Sequence, residues 1–231
     1  MKAGVTAVMI AHNEEERCLT RFLRDLLPSL WLLRPVIDAE IIVIDNSGLQ
    51  SDRLANAVLG NGGFTASYRW NEGRNLMYGP SLNVATTMAT RPYLLYACAA
   101  HGRMYDPTWA WDLLVALVDD EIGDVAMCGS LRPSGPPAAM GFSDALEPTH
   151  VQGGLFCART DVLRAHPYEE GGYAHWGSDV YQSFQLMTAG YRLVDVPTVK
   201  SVWRSAVKGG NWKYVHQGGV EPGLEADLHG A

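Results

Sequence analysis

The feature that most constrains this chain is a pair of apolar runs that each stop abruptly at small or polar residues. The first covers residues 5–11 and is followed by His12 and Asn13, and the second covers residues 40–45 and ends at Asp45. Such short runs are typical of buried parallel strands, which deliver their loops to the carboxyl edge of a sheet. Ligands bind at that edge in open α/β sheets. The sequence therefore predicts an α/β fold with a binding site where the strands end.

Length, charge and cysteine usage narrow the class of protein. A chain of 231 residues with 47% hydrophobic residues can bury a full core, and we expect one domain. Its formal net charge of -7 gives no signal for nucleic-acid binding. No run approaches the ~18 apolar residues of a membrane span, so we expect no transmembrane segment. The cysteines stand singly without a CxxC pair, which favours buried reduced thiols and a cytoplasmic location; they are Cys18, Cys98, Cys128 and Cys157.

Apolar spacing predicts alternating helices and strands along the chain. Asn13 is a candidate N-cap for a first helix that ends at Pro28 or Pro35. Segment 132–148, rich in Pro and Gly, is predicted to be a mobile excursion over the sheet. Further strands are predicted at residues 64–70, 93–99, 125–131, 151–158 and 191–196, and further helices at residues 52–59, 80–90 and 177–189, with one more opening at Asp106 and Pro107.

Five segments in this order carry a family resemblance. They read VTAVMIAHNEEE, IIVIDNSG, NEGRNLMYGPSLNVA, YACAAHGRMYDP and HWGSDVYQSFQLMTAGYRLVDVP. Together they resemble the GT-A glycosyltransferases, most closely the inverting glycosyltransferase family 2, over residues 5–205. The resemblance implies a Rossmann-like, mostly parallel sheet flanked by helices in a single domain over residues 1–207. Its nucleotide-sugar-binding half is expected at 1–105 and its acceptor-side half at 106–207, with a Gly-rich C-terminal tail at 208–231.

The resemblance implies that a nucleotide-sugar donor lies across the strand ends. Asp45 is then a base-binding residue, and Arg74 meets phosphate; the competing interpretations are a turn-forming Asp45 and a solvated Arg74. Asn13 is either a nucleoside contact or the helix N-cap. The implied donor-binding residues are His12, Asn13, Glu14, Asp45, Gly73, Arg74, Asn83, Ala99, His101 and Arg103.

The chain departs from the family where a metal is usually held. The family places Asp-x-Asp at this strand exit, but this sequence has Ala99, Ala100 and His101. An imidazole is a poor ligand for Mg²⁺ and an acceptable one for Mn²⁺, so a divalent cation and metal independence both stay open. His101 and His216 are the candidate metal ligands. If no metal binds, Arg204 is expected to stabilise the leaving diphosphate, since arginine offers a permanently charged fork.

The late segment HWGSD resembles the acceptor side of the family. Inverting transfer needs a base that takes the proton of the acceptor hydroxyl, and Asp179 is the candidate for that role. The alternative is that Ser178 or Asp179 only caps a helix. The remaining acceptor-side candidates are Gly154, His175 and Trp176, the last as an apolar wall for a sugar ring.

The expected function is glycosyl transfer from a nucleoside-diphosphate sugar, with a UDP-sugar favoured by family frequency, to an acceptor hydroxyl. The sequence does not identify the acceptor. It stays open between a glycan, a lipid-linked acceptor, a small molecule and a macromolecule. Loss of the acidic pair keeps a second interpretation open, namely a non-catalytic family member that binds a nucleotide or glycan. A nucleotidyltransferase is less favoured, because the first loop, AHNEEERC, lacks the Gly-rich basic sequence that a nucleoside triphosphate needs.

Overall fold

Seven strands form one sheet that organises the molecule. The structure is a computed structural model that describes residues 2–98, 108–119, 123–174 and 177–199. The strands lie in the order β3-β2-β1-β4-β6-β5-β7. Their bounds are β1 Ala3–Ala11, β2 Ile37–Asp45, β3 Thr65–Trp70, β4 Tyr93–Ala97, β5 Val125–Pro133, β6 Thr149–Arg159 and β7 Arg192–Asp195.

Strand direction decides which residues meet at the carboxyl edge. β1 pairs in parallel with β2 and with β4, and β2 pairs in parallel with β3. β6 runs antiparallel to both β4 and β5, and β7 is parallel to β5. The mostly parallel sheet is therefore confirmed. The last residue of β4, Ala97, lies beside Leu155, so the first residues of β6 extend past the end of β4 at the carboxyl edge.

Helices cover both faces of the sheet, as its long apolar strands require. The helices are α1 Glu15–Arg21, α2 Leu27–Leu33, α3 Asp52–Leu59, α4 Tyr78–Met88, α5 Trp109–Val118, α6 Thr160–Ala165 and α7 Ser178–Thr188. Alternation along each strand sends Met9 and Val43 to one face, where they pack with α1, α2, α3 and α5. Val8 and Ile42 pack on the other face with α4, α6 and α7. No described helix is long and apolar enough to cross a membrane.

The first helical region passes through Pro28 and stops before Pro35. Five residues, Phe22–Leu26, form a π-helical turn between α1 and α2, and Pro28 lies in the first turn of α2. The helix continues past Pro28 although its nitrogen cannot donate a hydrogen bond, and the irregular π-helical turn directly precedes α2. The hydroxyl of Ser29 donates to the carbonyl of Asp25 at 2.8 Å. Pro35, and not Pro28, therefore marks the end of the region.

Most predicted elements are confirmed, with shifted ends, and a few features differ. Glu14, and not Asn13, precedes the first turn of α1, and it makes no side-chain cap. The short helix α6 and the reversed direction of β6 were not predicted. Segment 134–148 contains a 3₁₀ turn, Pro137–Met140, after which Phe142 packs against Tyr181 and Phe184 of α7. All four cysteines are free thiols, as predicted.

A buried carboxylate joins β2 to the loop before β4, far from the carboxyl edge. Glu40 is 7% exposed and accepts hydrogen bonds from the Thr6 hydroxyl and from both the amide and the hydroxyl of Thr90. Burial acts to raise the pKa of Glu40, but these hydrogen bonds and the nearby Arg91 outweigh it, and the pKa lies below its ordinary value. Folding therefore favours the ionised form of Glu40.

We expect Glu40→Gln to lower the free energy of unfolding by about 1.5–3 kcal/mol at pH 7, the range for hydrogen bonds to a charged group. A pKa depressed by folding gives stability that is present above the unfolded value of about 4.3 and is lost as pH falls through the lower folded value. The difference in free energy of unfolding between wild type and variant should thus become smaller in acid. Urea unfolding at pH 7 and pH 3.5 measures this difference, with the exposed Glu147→Gln as control. A difference that does not depend on pH would contradict this role of Glu40.

Candidate active site

A buried network of side-chain amides holds together the loops after β2 and β3. Asn71 donates through its side chain to the side-chain oxygen of Asn46 at 2.6 Å, and Asn46 donates to the hydroxyl of Ser81 in α4 at 2.8 Å. All three residues are buried. Because each amide is satisfied by another part of the edge, the network fixes the loops relative to one another.

The loop after β1 is fastened to the loop after β2. The Asn13 amide donates to the hydroxyl of Ser47 at 2.8 Å, and the Asn13 side-chain oxygen accepts from the amide of Gly48 at 2.9 Å. His12 Nδ1 lies 3.0 Å from the carbonyl oxygen of Asn46. The side chains of His12, Asn13 and Glu14 are exposed at this edge, so they are accessible to a ligand there.

Asp45 is the central anchor of the second loop. Its side chain is 0% exposed and accepts from the amides of Ser47 and Ser51 and from the hydroxyl of Tyr68. Burial acts to raise the pKa of Asp45, yet the hydrogen bonds from Ser47, Tyr68 and Ser51 hold it below its ordinary value. In this arrangement the carboxylate has no exposed surface with which to contact a nucleoside base.

The loop after β3 approaches the second loop closely through its backbone. Gly73 has φ +79°, and a Cβ atom on it would lie 3.2 Å from the carbonyl oxygen of Gly48. The Arg74 side chain is 76% exposed, with its guanidinium 3.7 Å from the Glu72 carboxylate. Arg74 is therefore accessible to an anion at the edge of the sheet.

Strained backbone is concentrated at this edge. Among the described residues, the non-glycine positions with positive φ are Asn13, Glu72 and Met77, at 49°, 54° and 67°. Met77, with ψ -179°, occupies a region that is almost restricted to glycine. Such positions persist only where surrounding contacts determine the loop, and they occur often at functional sites.

The structure gives Asn83 a different set of contacts from the predicted donor contact. Its side chain donates to the carbonyl of Tyr168 and to the carboxylate of Glu170, both at 2.8 Å, and accepts from the Tyr168 amide. The Gly79 amide also donates to the carbonyl of Ala174 at 2.8 Å. α4 thus anchors segment 168–174, which leads to the acceptor side.

Asp179 lies in the first turn of α7 and is fixed to β6. Its Oδ2 accepts from the amide of Gly153 at 2.9 Å, and its backbone carbonyl accepts from the hydroxyl of Ser183, which itself accepts from the amide of Val151. Its Oδ1 accepts from the following amide, that of Val180. The side chain remains 27% exposed, so the carboxylate is held in position and is still accessible.

Two consecutive glycines leave space beside this carboxylate. A Cβ atom on Gly153 would lie 2.8 Å from the hydroxyl of Tyr78 and 3.2 Å from Asp179 Oδ2. The carbonyl of Gly154 accepts from the amide of Cys98, the residue just after β4. Position 153 therefore requires glycine, because the Tyr78 hydroxyl and the Asp179 carboxylate leave no room for a side chain. The contact of Gly154 with Cys98 brings this part of β6 next to the end of β4.

Three buried polar atoms around Asp179 make no hydrogen bond of ordinary geometry within the part of the chain that the structure describes. They are the hydroxyls of Tyr78 and Ser178 and Nδ1 of His150. His150 Nε2 lies 3.8 Å from Asp179 Oδ2. Ser178 does not cap α7, because the N-cap is Gly177 and no side chain bonds there. Buried unpaired groups are uncommon, and they mark this region for a water or a ligand.

Several predicted site residues lie outside the described residues. They are Ala99, His101, Arg103, His175, Trp176, Arg204 and His216. Among the described residues, no group of three or more His, Cys, Asp or Glu side chains is arranged to hold a metal ion.

The sequence analysis did not predict the residues that surround Asp179 or that hold the donor-side loops in place. His150 and Tyr78 flank Asp179, and Asn46 and Asn71 organise the donor-side loops. A polar residue at the start of a predicted strand was the available signal for His150. That signal becomes informative only when β6 is known to run antiparallel.

Comparisons with known proteins identify the fold. No protein-family model and no curated protein sequence matches the chain. A similar solved structure is mannosyltransferase PcManGT from Pyrobaculum calidifontis in complex with GDP-Man and Mn²⁺, with a TM-score of 0.62 and 16% identity; the match covers 87% of this chain and 57% of that chain.

Two further structures are similar over most of this chain. Glucosyl-3-phosphoglycerate synthase from Mycobacterium tuberculosis, in complex with Mn²⁺, UDP-glucose and phosphoglyceric acid, has a TM-score of 0.58 and 14% identity, covering 87% of this chain and 72% of that chain. Mannosyl-3-phosphoglycerate synthase from Rubrobacter xylanophilus has a TM-score of 0.56 and 20% identity, covering 84% and 66%. The strand order, the flanking helices and these likenesses together establish that the chain has the GT-A fold.

Proposed function

We propose that this protein is a glycosyltransferase that moves a sugar from a nucleoside-diphosphate sugar, a UDP-sugar by preference, to an acceptor hydroxyl with inversion. The observation that carries the proposal is the accessible carboxylate of Asp179, held by the amide of Gly153 at the edge where β1 to β4 deliver their loops. Solved structures with the same fold are, by their descriptions, sugar transferases with bound nucleotide sugars.

The proposed reaction is a single displacement at the anomeric carbon. The acceptor oxygen forms a bond to that carbon as the bond to the diphosphate oxygen breaks, and the electron pair leaves with the diphosphate. Asp179 takes the proton of the acceptor hydroxyl during attack. A base for this step must be positioned and open to the acceptor, and both conditions describe Asp179.

The proposed donor site lies over the loops after β1, β2 and β3. His12, Asn13 and Glu14 are exposed for nucleoside contacts, and Arg74 is exposed for phosphate. Asp45 contributes by holding the second loop, since its oxygens already accept hydrogen bonds from Ser47, Ser51 and Tyr68. Asn83 is left out of the donor site because its amide anchors segment 168–174.

The residues in the usual metal position do not fit a hard divalent cation. Ala99 and Ala100 carry no ligand atoms, and His101 supplies a single imidazole where oxygen ligands are preferred. We therefore propose that fixed cations stabilise the leaving diphosphate, with Arg204 first and Arg103 second. Two of the compared proteins were solved with Mn²⁺, so the metal requirement of this chain has to be tested directly.

The same departure supports a second candidate function. A chain without the acidic pair could bind a nucleotide or glycan and leave it unchanged. Turnover of any donor separates the two candidates, because a binding protein would be stabilised by the ligand without releasing nucleoside diphosphate.

We expect Asp179→Asn to abolish transfer while donor binding stays nearly intact. The amide keeps the size of the carboxylate but cannot accept the proton, so the loss should appear in kcat. Thermal shift with UDP- and GDP-sugars finds the donor, and nucleoside diphosphate release measures turnover. Asp144→Asn, an exposed change in segment 134–148, is the control. Turnover of Asp179→Asn near that of wild type would exclude Asp179 as the base.

We expect activity to persist in EDTA and to fall by ~100-fold or more in Arg204→Ala, the range for lost transition-state donors. Arg24→Ala removes an exposed arginine from the π-helical turn and serves as control. Steady-state rates with EDTA or Mn²⁺ measure both effects. Complete dependence on Mn²⁺, with loss of metal binding in His101→Ala, would instead make His101 a ligand.

We expect Gly153→Ala to reduce kcat on the order of 10- to 100-fold, because the methyl group displaces Tyr78 or Asp179 from its position. Gly172→Ala is the matched control, since a Cβ atom there meets no heavy atom within 4 Å. Rates and melting temperatures of the two variants should be compared. Equal rates would place the acceptor hydroxyl away from Gly153.

A further inference from the structure

The surroundings of Asp179 contain a histidine that the proposed reaction has not yet used. His150, the second residue of β6, is 4% exposed, and its Nε2 lies 3.8 Å from Asp179 Oδ2. Its other ring nitrogen, Nδ1, is buried and makes no hydrogen bond of ordinary geometry among the described residues, although the backbone of Arg132 lies close enough to act on the ring. Placing an imidazole in this buried position beside a partly exposed carboxylate costs free energy, because the ring is desolvated and its Nδ1 lacks a well-formed hydrogen bond.

Pure packing explains this histidine poorly. Asp179 already has backbone donors on both oxygens, from Gly153 and Val180, so its orientation does not depend on an imidazole. An apolar residue would fill the position in β6 without leaving Nδ1 unpaired. The separation of 3.8 Å is too long for a direct hydrogen bond, but it is short enough for strong charge coupling across a partly buried site.

We propose that His150 is a positioning residue that couples to Asp179 and accepts, through it, the proton removed from the acceptor hydroxyl. This proposal rests on the proposed function for its catalytic part. In the resting pair Asp179 is ionised and His150 is neutral. The acceptor proton reaches Asp179 first. It moves to Nε2 when the 3.8 Å separation shortens to a hydrogen bond in the substrate complex, which leaves an ionised carboxylate beside a cationic imidazole. The proton count is unchanged, and no other reactant is needed.

The electrostatic surroundings fit a neutral resting histidine. Burial lowers the pKa of His150, and the charge of Arg132 on β5 acts in the same direction; the Asp179 carboxylate and a backbone hydrogen bond at Arg132 oppose them. The other titratable neighbours of the pair in the described structure are Tyr78 on α4 and Tyr168 after α6. Burial raises the pKa of both phenols, so they stay neutral. The histidine and the carboxylate are therefore the groups that exchange a proton here.

The first test does not require enzymatic turnover. Histidine pKa values are measured by NMR titration of the labelled full chain in wild type and in Asp179→Asn, with His150 assigned from its missing signal in His150→Gln. Loss of the carboxylate should lower the pKa of His150 by about one unit and leave that of His166 unchanged, since His166 lies after α6 and makes an edge-to-face contact with Tyr191. An unchanged His150 pKa would overturn the proposal.

The second test uses the pH dependence of kcat with the donor found by thermal shift. Because glutamine cannot accept the proton, His150→Gln should lower kcat on the order of 10-fold or more at neutral pH, and the part of the acid limb that reports protonation of the imidazole should disappear while the donor KM stays constant. His166→Gln is the matched control. A profile of His150→Gln that superimposes on wild type would overturn the catalytic role. If neither protein turns over any donor, the proposed function fails, and the NMR result alone decides the coupling.

Discussion

The reversed direction of β6 is the constraint on which the candidate site depends. Because β6 runs against β4, its first residues, and not its last, lie at the carboxyl edge. That edge then receives His150, Gly153 and Gly154, of which Gly154 accepts a hydrogen bond from Cys98, the residue after β4. A parallel strand at this position would have carried the same residues to the opposite edge, more than 20 Å from the loops of β1 and β2 by the rise of a strand of this length.

The two halves of the site use different means of fixing their geometry. On the donor side, buried amides and one saturated carboxylate, Asp45, lock three loops together. On the acceptor side, backbone amides of β6 hold Asp179, and α4 joins the halves because its first turns contact both Asn46 and segment 168–174. Binding geometry at such a site is set by the scaffold before a ligand arrives, which lowers the entropy lost on binding.

Local patterns in the sequence were sufficient to predict most of the helices and strands, and tertiary contacts determine the features that those patterns did not predict. The positions of β1 and β2 could be predicted because a strand that is buried on both faces of the sheet is an almost continuous apolar run in the sequence. Asn83 was assigned to the donor site from its position in a sequence motif. Its side-chain amide instead donates to the carbonyl of Tyr168, which is 85 residues away in the chain, and the motif gives no information about that contact. Asp179 was proposed because the segment HWGSD resembles a family motif, whereas the proximity of His150 depends on the strand direction, which no local pattern records.

The strained loop at Met77 has a consequence for how this protein tolerates change. A non-glycine residue at φ 67° and ψ -179° costs roughly 1–3 kcal/mol, a sizeable share of the 5–15 kcal/mol that holds a typical domain folded. Substitution by glycine would relieve that cost, so selection for stability alone would favour it. Glycine would also leave more backbone conformations open to the loop between β3 and α4, so methionine keeps that loop narrower in shape at a cost in stability.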